Sequence, residues 1–234
     1  MSLSITYDRA QARRAAFGLA AIEGGFALAY VVVHILFPER AWGPLRPFFD
    51  LDGEKSIPTW FSTIQLFAVG ALLFLAAANN RQELYLASAG LYIAGLVFVF
   101  LSADEAVQIH ENLTYMSRDA GLSELSFIGH WGAWIVAYAV LGLIGLAFGA
   151  RHLWALWRNF RPIAVWGMVG AFIFFLGAVG FEIASFPFRN SAEAETIELS
   201  AIAIEEFLEM LGVTIILYAT LVLANQLSQV REPA

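Results

Sequence analysis

The sequence contains no cysteine and few charged residues. Cysteine is absent from all 234 residues, and Asp, Glu, Lys and Arg together make up only 14% of the chain. The missing thiols exclude disulfide frameworks and thiolate metal sites. Soluble domains carry about 25% charged residues, so this composition excludes a disordered chain and an ordinary cytosolic enzyme. A net charge of -7 argues against nucleic acid or another polyanion as a partner.

Sequence signatures of several enzyme classes are also missing. The chain has no Walker loop, no Gly-x-Ser-x-Gly elbow and no Cys-x-x-Cys-His string. ATP hydrolysis, serine-esterase chemistry and covalent c-type haem are therefore without support. The paired His-x-x-x-His ligands of membrane zinc hydrolases related to ceramidases are missing too.

Hydrophobic residues are abundant, at 59% of the chain. A helix needs roughly 20 apolar residues to cross a bilayer core of about 30 Å, and a helix satisfies its own backbone polar groups in lipid. We therefore predict an all-α integral membrane bundle, with residues 1–234 as a single domain. Ser56 before Pro58 and the Arg161–Pro162 pair predict two helix starts. The six transmembrane helices are predicted at residues 15–37, 59–78, 84–111, 127–150, 163–186 and 196–224.

The distribution of Lys and Arg predicts the orientation. Basic residues concentrate in the N-terminal tail, in the second-to-third and fourth-to-fifth loops and in the C-terminal tail. By the positive-inside rule, we expect both termini to lie in the cytoplasm. The expected partner is the lipid bilayer. Membrane-protein partners and a homo-oligomer stay open.

Acidic residues inside the predicted spans are the most informative feature, because no Lys or Arg falls within those spans to pair with them. A charged side chain at the centre of a membrane helix costs about 2.5–3.5 kcal/mol. The acids must therefore be protonated, face water or surround a bound cation. They are Glu23, Asp104, Glu105, Glu111, Glu182, Glu198, Glu205, Glu206 and Glu209.

All of these acids except Glu23 are predicted at one end of the bundle. With both termini inside, odd-numbered spans end in the outer half and even-numbered spans begin there, which also places His34 and His130 in that half. Glu23 lies nearer the inner half. It is predicted to be a relay toward the cytoplasm or a hydrogen-bond partner of Tyr30.

Helix periodicity predicts which acids converge. Asp104, Gln108 and Glu111 fall on one face of the third span, and His110 lies about 120° away. Glu205 and Glu209 share one face of the sixth span. Each polar stripe is narrow, which is typical of a polar bundle interior.

Carboxylate and imidazole side chains in this pattern suit Zn, Fe, Mn or Cu. No Glu-x-x-His string occurs, so a ferritin-like di-iron centre is not supported. The structural alternative is that Asp104 binds backbone near the interface and that the acids of the sixth span are protonated. The predicted metal ligands are Asp104, His110, Glu111, Glu182, Glu205 and Glu209. The predicted catalytic residues are Glu105 and Glu206, and the additional candidates are His34, His130, Glu198 and Glu23.

Two further patterns have bland interpretations. Residues 50–54 resemble a fragment of a calcium loop but lack its later ligands, so an acidic turn is expected. Glycines in the fourth and fifth spans are expected to allow close helix packing. They are Gly142, Gly145, Gly149, Gly167, Gly170, Gly177 and Gly180.

Three strings resemble those of uncharacterised bacterial inner-membrane proteins of similar length. The first is Leu101-Ser102-x-Asp104-Glu105-x4-His110-Glu111, the second is the run from Glu205 to Gly212, and the third is Asp50–Glu54 followed by Pro58–Ser62. The resemblance covers most of the chain. It implies membership of such a family and a location in the inner (plasma) membrane of a bacterium, and it brings no activity with it.

Three functions are compatible with these observations. The first is a metal-dependent membrane protein, expected to be an enzyme acting at the outer half of the bilayer. The second is a proton- or cation-coupled transporter or channel that uses the same acids as its ion site. The third is a non-catalytic subunit or assembly factor of a larger membrane complex.

Overall fold

The structure is a computed structural model that describes residues 8–36, 44–53, 55–79, 85–121, 133–185 and 194–229. These residues form helices and no β-strand, which confirms the all-α prediction. The α-helices are α1 (Arg9–Tyr30), α2 (Ile57–Asn79), α3 (Tyr85–Val107), α4 (Ile109–Asp119), α5 (Ala133–Asn159), α6 (Arg161–Phe175), α7 (Glu182–Ser185) and α8 (Ala194–Gln229). Two π-helical turns, Val31–Leu36 and Leu176–Phe181, continue α1 and α6.

Six helices in the described ranges are long and apolar enough to cross a membrane, as predicted. Several run past the predicted bounds: α1 begins at Arg9, and α5 extends to Asn159. Helix α1 begins at Arg9 because Asp8 and Gln11 form a reciprocal capping box. The side chain of Ser56 caps the start of α2, accepting the Thr59 backbone N–H at 3.2 Å.

The predicted continuous helix over residues 84–111 is wrong at its C-terminal end. Helix α3 ends at Val107, Gln108 adopts a left-handed conformation with φ 57°, and α4 begins at Ile109. The carboxylate of Asp104 accepts the backbone N–H of His110 at 2.9 Å, so it satisfies a donor at the start of α4. The chain therefore changes direction in the middle of the most acidic string.

Helix α8 lies at the centre of the bundle and packs against α1, α2 and α6, while α3 packs between α2 and α5. The main apolar core includes Val69, Leu73, Val213 and Leu223. These residues belong to the second half of α2 and the second half of α8. The core therefore occupies the end of the bundle opposite the predicted polar site.

Close helix packing by glycine is confirmed for the α6–α8 contact and wrong for α5. A Cβ at Gly170 would lie 2.6 Å from the Gly212 carbonyl oxygen. Gly142, Gly145, Gly149 and Gly167 have no neighbour within 4 Å among the described residues. Gly142 and Gly145 are exposed on α5, whereas Gly149 is buried but has no close neighbour at its Cβ position.

Candidate functional site

A polar cavity of about 50 Å³ lies where the α3–α4 junction, the loop before α2 and the middle of α8 meet. We call it the small cavity. Three segments that are far apart in sequence supply its wall, and each contains one of the acidic strings noted above. Its lining residues are Leu51, Asp52, Gly53, Thr59, Glu105, His110, Glu111 and Glu206.

The pair formed by Asp104 and His110 organises one side of the small cavity. Asp104 is buried, and its Oδ1 atom lies 3.2 Å from His110 Nδ1 as well as 2.9 Å from the His110 backbone nitrogen. Because Nδ1 faces a carboxylate, it carries a proton. Nε2 is the ring nitrogen that is not bonded to Asp104. The edge of the Trp134 ring packs against the imidazole at 5.7 Å between ring centroids.

The environment of His110 favours its protonated form. Burial lowers the pKa of His110. The hydrogen bond to Asp104 and the negative charges of Asp104, Glu111 and Glu105 raise the pKa by more than burial lowers it, so the net shift is upward from the usual 6.5. Sequence periodicity placed His110 away from Asp104. The break at Gln108 brings the two residues together.

The acids in the middle of helix α8 do not all lie at the small cavity. Glu206 lines the small cavity, and it lies close enough to Glu105, Glu205 and Glu209 for their charges to interact. Glu205 and Glu209 are half-buried and face the second π-helical turn, where a Cβ at Gly177 would lie 2.9 Å from Glu209 Cγ. The α6–α8 contact thus fixes the backbone from which these acids project.

The loop before α2 contributes a residue that sequence reasoning did not select. Leu51 is buried in a small apolar cluster with Tyr30 and Met210, and it anchors the loop over the bundle. The hydroxyl of Thr59 donates to the Gly53 carbonyl at 2.9 Å, which fixes the following turn. Asp52 therefore reaches the small cavity. The Asp-x-Asp-Gly string was the signal that could have identified it.

A larger cavity, about 430 Å³ in volume, lies beside the small one, and Asp52 lines both. We call it the large cavity. His34 and Glu198, both predicted as additional candidates, line it together with Tyr30 and Asp50.

Glu23 belongs to a separate polar group in the middle of the bundle. It is fully buried, and its Oε1 atom accepts hydrogen bonds from Gln65 at 2.8 Å and from Thr214 at 2.5 Å. These partners replace the predicted bond to Tyr30. Glu23 Oε2 and Gln65 Oε1 are buried without a hydrogen-bond partner in the described structure.

Some predicted site residues are not placed at the cavity. His130 and the side chain of Glu182 lie outside the described residues. Across the described part of the chain, no three His, Asp or Glu side chains are grouped closely enough to hold one metal ion as they stand. The carboxylates line the small cavity without sharing a coordination centre.

Comparison with known families identifies one match. Residues 24–224 match the family model described as a domain of unknown function (DUF8692). No curated protein and no solved structure matches the chain. The family match extends over most of the chain, and the chain belongs to this family.

Proposed function

We propose that this member of the DUF8692 family is a metal-dependent membrane enzyme with its active site at the small cavity. What supports the proposal most is the Asp104–His110 pair beside the cavity carboxylates. Metal-binding histidines usually donate their second ring N–H to a carboxylate, which orients the ring and increases its basicity. In this arrangement Asp104 orients His110 rather than binding the metal itself.

The other residues of the small cavity provide hard oxygen ligands. Glu111 and Asp52 are the metal ligands that we assign together with His110, and Glu105 and Glu206 are the candidates for general base. Binding requires side-chain rotation, since the carboxylates do not yet share a centre. A metal ion bound there would lower the pKa of a bound water or polarise a substrate group. Zn, Fe, Mn and Cu all suit such a donor set.

Elemental analysis of protein purified in a neutral detergent tests this proposal. We expect about one transition-metal ion per chain, lost in a Glu111→Gln variant, which removes an assigned ligand and keeps the size of the side chain. Asp119→Asn is the matched control, because Asp119 is exposed at the end of α4 and away from the cavity. Equal metal content in both variants, or none in folded wild-type protein after growth with each metal, would refute the proposal.

The proposal includes the cellular orientation. We place the protein in a bacterial inner membrane with both termini in the cytoplasm, so that the two cavities open toward the outer face. The Lys and Arg distribution favours this orientation. Reporter fusions at the C-terminus, one fluorescent only in the cytoplasm and one active only outside it, test the orientation. If the reporter that is active only outside the cytoplasm were active, the proposed orientation would be wrong.

A second candidate, proton-coupled transport, is favoured by Glu23. A fully buried carboxyl group with an unpartnered oxygen, seven residues before Tyr30 on the same face of α1, is suited to carry a proton between the cavities and the inner half. Proton flux in proteoliposomes tests this function. We expect flux that Glu23→Gln abolishes, and no flux at any pH would count against transport.

A further inference from the structure

The large cavity carries an excess of negative charge. Its described wall contains four carboxylates and a single cationic side chain, Arg46. The four acids are Asp50, Asp52, Glu195 and Glu198. Its volume of about 430 Å³ falls within the range of about 300–1,000 Å³ that small-molecule sites occupy. An acidic wall alone does not identify a ligand, and the buried side chains of this cavity give the further evidence.

His34 supplies a second and independent observation. It is only 5% exposed, and its Nδ1 atom lies 3.2 Å from the Tyr30 carbonyl oxygen. Because a carbonyl can only accept, Nδ1 carries the proton and Nε2 of the neutral ring is an acceptor. That atom is buried with no hydrogen-bond partner among the described residues. A buried acceptor without a hydrogen-bond partner is costly, so His34 Nε2 is suited to accept a hydrogen bond from a bound ligand.

The position of Asp50 indicates what kind of donor fits. His34 Nε2 lies 4.0 Å from Asp50 Oδ1, and both residues line the large cavity. A tetrahedral metal ion with bonds of about 2.0 Å holds its ligand atoms about 3.3 Å apart, which is closer than these two atoms. A nitrogen seated beside the pair at about 2.9 Å from each can donate one hydrogen to the imidazole and one to the carboxylate.

The remaining walls are consistent with an organic group attached to that nitrogen. Tyr30 stacks on His34 with ring centroids 4.3 Å apart, and Leu199 and Ile202 add apolar surface. Glu195 and Glu198, both exposed on the first turns of α8, place negative charge at the rim. A cation approaching the cavity would be attracted to these carboxylates first.

We infer that the large cavity binds a small organic cation through a primary ammonium group, which donates to His34 and Asp50. Since Asp52 lines both cavities, such a ligand would lie next to the metal site. That the bound amine is the substrate rests on the proposed function, whereas the binding itself does not.

Equilibrium dialysis with radiolabelled putrescine (1,4-diaminobutane) tests the inference. The protein is held in neutral detergent micelles at about 150 mM salt, which screens non-specific attraction. We expect saturable binding that excess 1,4-butanediol does not displace. A double Glu195→Gln, Glu198→Gln variant should weaken binding about fivefold, since exposed charges contribute modestly. Asp119→Asn, which removes an acid elsewhere, should leave binding unchanged.

His34→Ala should weaken binding about tenfold. If that variant does not fold, the double variant still decides, because its two acids are exposed. Absence of saturable binding to wild-type protein, or equal binding by the double variant and wild type, would overturn the inference. Metal content measured in the same samples separates the two proposals: amine binding that persists in metal-free protein supports this inference whatever becomes of the metal site.

Discussion

The break at Gln108 can be tested by the relative stability of two variants. The sign of the stability difference depends on whether the helix is broken at Gln108 or continuous. Gln108 has φ 57°, a left-handed conformation that costs an L-residue roughly 1–2 kcal/mol. Glycine adopts this conformation without that cost, although it loses about 0.5–1 kcal/mol more backbone entropy than alanine. Comparing Gln108→Gly with Gln108→Ala removes the same side-chain hydrogen bond to Glu111 from both variants. We therefore expect the glycine variant to be more stable than the alanine variant by about 1 kcal/mol.

A continuous helix would reverse this order. In a helix interior glycine is less favourable than alanine by about 0.8–1.0 kcal/mol. The two structures thus differ by about 2 kcal/mol in the relative stability of the same two variants. This difference is larger than the usual error of an unfolding titration.

Unfolding by SDS in mixed micelles, followed by tryptophan fluorescence, measures the difference. Trp134, one of the seven tryptophans, packs against His110, so part of the emission change reports on the α3–α4 junction. Gly→Ala comparisons depend on the unfolded state as well as on the folded one, but the unfolded-state difference between the two variants is the same whether the folded helix is broken or continuous. If the alanine variant were the more stable of the two, the break at Gln108 and the Asp104–His110 pair that depends on it would both be refuted.

Further predictions concern charge, packing and the buried carboxyl group. By NMR titration, the pKa of His110 should lie above 6.5, and Asp104→Asn should lower it. Because the folded-state pKa is raised, the associated stability is present in full below about pH 6.5 and is lost as pH rises through the folded-state pKa; a pH-independent stability would contradict this. Gly170→Leu should destabilise the protein by more than about 3 kcal/mol in the same SDS titration, since a Cβ there would lie 2.6 Å from backbone. Gly145→Leu, which meets no neighbour, should be neutral, and equal losses would refute the α6–α8 contact. Glu23→Gln should keep near wild-type stability, whereas Glu23→Leu should cost about 1–3 kcal/mol by leaving buried donors unpaired; thermal unfolding in detergent distinguishes the two, and equal stability would contradict the hydrogen bonds.

The helices were predictable because membrane spans depend on length and apolar composition, which are local properties. The path of the chain near Asp104 was not predictable in the same way. Nothing in a 3.6-residue periodicity signals that Gln108 leaves the helix, since glutamine is a good helix former. The break depends on a hydrogen bond between residues six apart, Asp104 and the His110 backbone. The cost of ionisable groups in lipid therefore identified the acidic string, and periodicity assigned His110 to the wrong face of it.

The residues that line the small cavity were likewise predictable only in part. Glu105, His110, Glu111 and Glu206 were selected from the cost of ionisable groups in lipid, and they line the cavity. Asp52 was not selected, because a loop acid carries no such cost and its position depends on tertiary anchoring by Leu51. Polar residues in spans can be recognised one helix at a time. Loop residues that complete a site need the fold.

Stability and the candidate site occupy opposite ends of this bundle, and the irregular backbone lies with the site. The main apolar core joins the second halves of α2 and α8, while the cavities lie at the other end. Both π-helical turns and the left-handed Gln108 are at the cavity end. Such irregularities cost backbone energy, and they persist where the surrounding structure holds them. The first π-helical turn packs against a smaller apolar cluster around Tyr30, Leu51 and Met210, so the polar end combines the weaker core with the costlier backbone. This is the arrangement expected when a bundle is held together at one end and its side chains are positioned for chemistry at the other.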